Sequence, residues 1–150
     1  PKNFGLSCTN EKGEKEQVLM IHCAIMGSIE RFLSVMIEHL AGNFPLWLAP
    51  TQVSILPISD AHLSYATKIA DELRAAGLRV TIMSDSDSLG KKIRTCKLEK
   101  VPYMLVLGDA EQEKDEVTLE SRDHGKIGTL SRTALLERLT SELRSRALSA

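Results

Sequence analysis

The stretch QVSILPISDAHLSYATKIADELRAAGLRVTI, residues 52–82, decides the fold. Gln52 to Ile58 is an apolar run of strand length, dense enough to be buried on both faces. Ser59 or Asp60 then offers an N-cap for a helix through Ala76. Leu63, Ala66, Ala70 and Leu73 share one face of that helix, and Gly77 is its stop. Leu78, Val80 and Ile82 alternate with Arg79 and Thr81, the period of a half-buried strand. Strand, helix and strand with links this short predict a right-handed crossover between parallel strands.

Downstream the pattern continues. Ser88 to Glu99 reads as a second helix and Pro102 to Leu107 as a fully buried strand ended by Gly108-Asp109. Val117 to Ser121 alternates again, and Gly125 and Gly128 mark a turn. Leu135, Leu136, Leu139 and Leu143 define a last helix capped by Ser131. The expectation is an α/β domain on a mixed, roughly five-stranded sheet flanked by three helices.

Upstream, Asn43 to Pro50 is a break with two prolines and the only tryptophan, Trp47, which places a domain boundary between residues 49 and 50. Before it, Pro1 to Lys15 is polar, with a turn at Asn10-Glu11-Lys12-Gly13, and Val18 to His22 reads as a short buried strand. Gly27-Ser28 opens a helix, Ile29 to Leu40, whose apolar set is Ile29, Phe32, Leu33, Met36, Ile37 and Leu40, widened by Val35. A hairpin cannot cover so wide a stripe, so partner structure upstream of Pro1 is expected.

The chain has 150 residues, enough for one compact domain carrying part of another. Lys plus Arg total 19 against 20 for Asp plus Glu, so no overall field draws in nucleic acid non-specifically. No run approaches the ~18 apolar residues of a membrane span, and Pro1 to Gly13 lacks the pattern of a secretion signal. Cys8, Cys23 and Cys96 are odd in number and widely spaced, against a disulfide framework or a self-contained zinc knuckle. A reducing cytoplasm is the expected setting.

Few residues point to chemistry unaided. His22 is more often a satisfied histidine than a metal ligand. Gly27-Ser28 offers free N–H groups to an anion or simply starts a helix. Arg31 in the first turn opposes the helix dipole and so needs a carboxylate or a phosphate beside it. No phosphate-binding glycine loop, zinc-protease helix or nucleophile elbow is present. Lys91, Lys92, Arg94, Lys97 and Lys100 gather on one helix and its end, which suits either a limited phosphate contact or a solvated face.

In order along the chain, these features resemble the threonyl-tRNA synthetases. His22-Cys23-Ala24-Ile25-Met26-Gly27-Ser28-Ile29-Glu30-Arg31-Phe32 resembles their third class II motif, and Glu38 to Pro50 their link into the anticodon-binding domain. Leu89 to Arg94 and Lys100 to Asp109 complete a likeness over nearly the whole chain. It implies residues 1–49 as the end of a class II catalytic domain and residues 50–150 as an anticodon-binding domain. It implies an enzyme that activates threonine with ATP and transfers it to tRNA(Thr), acting as a homodimer built by upstream structure.

By the same resemblance His22 is one ligand of a zinc whose other ligands lie upstream. Arg31, in the catalytic role, grips ATP beside Gly27 and Ser28. The 150 residues alone are then expected to be inactive. The tRNA contacts implied are Ser86, Lys91, Lys92, Arg94, Lys97, Lys100, Glu111, Glu120 and Arg122. Three positions depart from the family pattern: Cys23 and Glu120 stand where relatives carry arginine, and Ser86 where many carry asparagine. Glu120 repels phosphate but can accept hydrogen bonds from the edge of a guanine; Arg122, two residues on, is expected on the same strand face. Two other readings stay open: a non-catalytic RNA-binding or regulatory protein derived from such a domain, and a flavodoxin-like ligand-binding domain.

Overall fold

The computed structural model describes residues 2–148. Two compact units divide the chain, the first ending at Met36 and the second starting at Ile37. In the first, a 3₁₀ turn (Lys2–Phe4) precedes an antiparallel hairpin, β1 (Ser7–Thr9) and β2 (Lys15–Gln17). Asn10 closes its loop, with Oδ1 accepting from the N–H groups of Lys12 and Glu14.

The expected strand over Val18 to His22 does not form. Val18 alone is tied to the hairpin among the described residues, its N–H donating to the Leu6 carbonyl at 3.2 Å, and Leu19 and Ile21 lie about nine-tenths exposed. Helix α1 runs Ile29–Leu40, as its periodicity requires. Along its apolar stripe Ile29 and Ile37 are half exposed and Val35 is 65% exposed, while Met36 and Leu40 are partly buried.

The second unit is a three-layer sandwich. Its sheet comprises β3 (Val53–Pro57), β4 (Val80–Ile82), β5 (Tyr103–Leu107), β6 (Glu116–Ser121) and β7 (Gly125–Ser131), in the order β4-β3-β5-β6-β7. β3 is parallel to β4 and β5, while β6 is antiparallel to β5 and β7. Helices α2 (Leu63–Ala75) and α5 (Arg132–Ser145) bury the larger core, with Ile55, Leu105 and Leu119 fully enclosed. Helix α3 (Leu89–Leu98) covers the opposite face over Leu56 and Met104.

Several details differ from expectation. Asp60–His62 is a 3₁₀ turn and Ser59 makes no side-chain cap, so α2 starts at Leu63. Its buried face also includes Tyr65 and Ile69. A short helix, α4 (Asp109–Lys114), joins the three expected; its polar sequence carries no apolar stripe to betray it. Glu111 Oε2 accepts from the Gly108 N–H and fixes its first turn.

Gly125 and Gly128 do not form the turn; both lie within β7, and residues 122–124 make the reversal. A register shift at Leu119/Glu120 sets Gly128 opposite Leu119 and Lys126 opposite Glu120. That bulge breaks the alternation by which β7 would be recognised. Ser131 caps α5 as expected, its Oγ accepting from the Ala134 N–H at 3.2 Å.

Residues 41–50 are bound to the sheet unit rather than free. Leu46 and Ala49 are buried, and backbone carbonyls along the segment accept from side chains at the sheet's lower edge. Gln52 Nε2 donates to Leu46, Arg79 to Trp47 and Ala49, Arg122 to Phe44 and Lys100 to Ala41.

Candidate nucleic-acid interface

Strand β6 builds the site. Val117 and Leu119 face the core under α2 and α5, so Glu116, Thr118 and Glu120 face the other way. On that side α3 covers β3 and β5, and the row of three is half-buried, with Lys97 of α3 reaching Glu120 and Glu111 of α4 reaching Thr118. A groove of about 300 Å³ runs along the boundary, lined by Lys97, Val101, Met104, Glu120, Ser121 and Arg122 with Gly125.

In this groove Glu120 sits opposite Met104, and its carboxylate meets Lys97 Nζ at 3.1 Å. Two residues back, Thr118 Oγ1 donates to Glu111 Oε1 at 2.7 Å. Burial raises the Glu111 pKa, but the hydrogen bonds from Thr118 and the Gly108 N–H, with Lys126 nearby, outweigh it and hold the carboxyl below its usual range. The half-buried row therefore presents carboxylates and a hydroxyl beside an apolar floor, with cations at its border. Such a surface accepts hydrogen bonds from base edges better than it binds phosphate.

The expected tRNA contacts separate by helix phase. Lys91, Arg94 and Lys97 line the exposed side of α3, Lys91 pairing with Asp87 at 2.8 Å. Lys92 points inward, 5% exposed, and donates to the Pro57 carbonyl at 3.1 Å, so it leaves the basic face. Lys100 donates to the Ala41 carbonyl.

Arg122 also departs from expectation. It lies past the end of β6, with its guanidinium turned to Phe44, Lys100 and Asp123 rather than outward beside Glu120. Ser86 is exposed in the loop between β4 and α3. Lys97, Glu120 and Arg122 are thus brought together, Glu111 lies along the same row, and Ser86 and Lys92 are not in the groove. Thr118 and the floor residues Val101 and Met104 were missed; the alternation of Val117 and Leu119 with Thr118 and Glu120 was the available signal for Thr118.

The residues of the expected ATP and zinc sites lie in the first unit. Ser28 Oγ donates to Glu30 Oε2 at 2.7 Å and is within 3.5 Å of the Arg31 N–H, a helix-capping arrangement. Arg31 is exposed and has no ion pair among the described residues; Gly27 has a positive φ of 67°. His22 is exposed, and no group of three His, Cys, Asp or Glu stands together among the described residues. The residues present therefore do not fit a zinc ion by themselves.

The sheet with helices on both faces defines an α/β domain, and sequence comparison gives its family. Residues 52–142 match the model of the anticodon binding domain. The chain belongs to the anticodon-binding domain family. It is 44% identical over 146 residues to a threonine–tRNA ligase of Clostridioides difficile (strain 630), covering 97% of this chain and 23% of that protein. It is 45% identical over 143 residues to that of Pelodictyon phaeoclathratiforme, covering 95% of this chain and 22% of that protein.

Among solved structures, the RNA binding domain of threonyl-tRNA synthetase from Cryptosporidium parvum Iowa II aligns with a TM-score of 0.73 and 36% identity. That alignment covers 79% of this chain and 30% of that one. These relatives are enzymes, and the chain spans less than a quarter of the length of the two ligases. No helix among the described residues is long and apolar enough to cross a membrane.

Proposed function

We propose that this chain is the anticodon-binding part of a threonine–tRNA ligase and that the half-buried row of β6 reads the anticodon of tRNA(Thr). The observation that carries the reading is the half-buried row of Thr118 and Glu120 beside the groove, flanked by Glu111, on a domain of this family. Lys91, Arg94 and Lys97 hold the RNA backbone, while Glu111 and Glu120 accept hydrogen bonds from unstacked bases. Ser86, in the loop before the N-terminus of α3, meets a neighbouring nucleotide.

The whole enzyme, in this reading, works in the cytoplasm as a homodimer, activating threonine with ATP and esterifying it to tRNA(Thr). His22, Gly27, Ser28 and Arg31 belong to its catalytic part, where Arg31 binds the anionic nucleotide. No step is assigned to a metal, since His22 alone offers one ligand.

The test is binding of the chain to tRNA(Thr) and to the same transcript with its anticodon replaced. The unsubstituted chain prefers the threonine anticodon, and Glu120→Ala relaxes that preference by about tenfold. Unchanged affinity and preference in Glu120→Ala remove Glu120 from the reading surface.

A further inference from the structure

We infer that Arg122 is the positioning residue of the β6 groove, not an RNA contact; this rests on the anticodon reading above. Arg122 stands where three segments meet. Nη1 donates to the Phe44 carbonyl at 2.8 Å and the Lys100 carbonyl at 3.2 Å. Nε and Nη2 grip the two carboxylate oxygens of Asp123 at 2.7 and 2.9 Å. Its backbone N–H donates to the Pro102 carbonyl at 2.8 Å. The side chain is only 11% exposed.

A guanidinium has five N–H donors in a rigid fork, and here both edges are committed to protein. A phosphate would have to displace Asp123 from a bidentate, charge-assisted pair. What the fork does instead is geometric. Lys100 ends the turn that begins at Lys97, and Lys97 holds Glu120. Arg122 follows Glu120 by two residues on the other wall of the same groove. Pinning the Lys100 carbonyl to the end of β6 therefore fixes the spacing between Lys97 and Glu120. The Phe44 bond ties the same junction to the segment that carries Trp47.

Two substitutions separate position from charge. Asp123→Asn removes the carboxylate but leaves the arginine cation freer; Arg122→Lys keeps the charge but loses the fork. Binding is measured against an RNA stem–loop carrying a threonine anticodon and one with the anticodon replaced, over a series of salt concentrations. Thermal unfolding confirms that each variant is folded at the assay temperature.

A positioning role predicts that both variants lose about tenfold in anticodon discrimination while the salt slope is unchanged. Trp47 emission of the RNA-free protein shifts in Arg122→Lys. A phosphate contact predicts the reverse for Asp123→Asn, namely tighter binding and a steeper slope, and that result overturns the inference. Variants indistinguishable from the unsubstituted chain also overturn it, leaving the anticodon reading intact. An unsubstituted chain that does not discriminate between the two stem–loops overturns both.

Discussion

Tyr103 Oη donates to Glu142 Oε2 at 2.6 Å, joining β5 to α5 across the edge of the core. Burial raises the Glu142 pKa above the carboxylate's usual range, more than the Tyr103 hydrogen bond and the Arg138 charge lower it. The folded protein thus holds this proton more tightly than the unfolded chain does. Its stabilising contribution is complete below the unfolded value near 4.5 and is lost as pH rises through the folded one. Glu142→Gln abolishes that loss. The stability of the variant relative to wild type should increase between pH 4 and pH 7, by less than ~1 kcal/mol given partial solvent screening, as read by thermal unfolding. At the same scale, Lys91 and Lys92 show the limit of composition. Both belong to one charge cluster in the sequence, but adjacent residues on a helix point about a quarter-turn apart, so one is solvated and the other is buried on Pro57.

At the scale of elements, the boundary segment is organised by backbone acceptors. Gln52 is fully buried between two of them: Nε2 donates to the Leu46 carbonyl at 2.7 Å and Oε1 accepts from the Arg79 N–H at 2.8 Å. Gln52→Ala strands both backbone groups and should cost about 2 kcal/mol in urea unfolding, with Trp47 emission as a probe of the same segment. The prolines and Trp47 made the interruption of regular structure legible, but not the grip on it, because side chains distant in sequence supply the donors. The long elements α1, α2, α3 and α5 were readable from period and stop signals. The fourth helix of the sheet unit and β7 were not: one has no apolar face, and the other has its alternation broken by a bulge.

For the whole molecule, the proposed contact with RNA turns on the balance of charge. With Lys92, Lys100 and Arg122 committed to internal acceptors, Lys91, Arg94 and Lys97 remain as exposed cations along α3. Three contacts to a single-stranded loop give a slope of log affinity against log salt of about −2, whereas all six cations would give about −4. A salt titration of tRNA(Thr) binding distinguishes these. The shallow slope follows from a surface whose centre is acidic and whose cations stand at the border.

The sequence by itself determined the strand–helix alternation, the parallel core of the sheet and the string of motifs shared with the family, because periodicity and turn chemistry are local. It also placed Glu120 and Glu111 among the candidates. Only tertiary structure decided which face of β6 lines the groove and which cations are spent on the protein's own carbonyls. Those outcomes depend on how far α3 reaches across the sheet and on contacts between residues distant in sequence, and no local pattern encodes either.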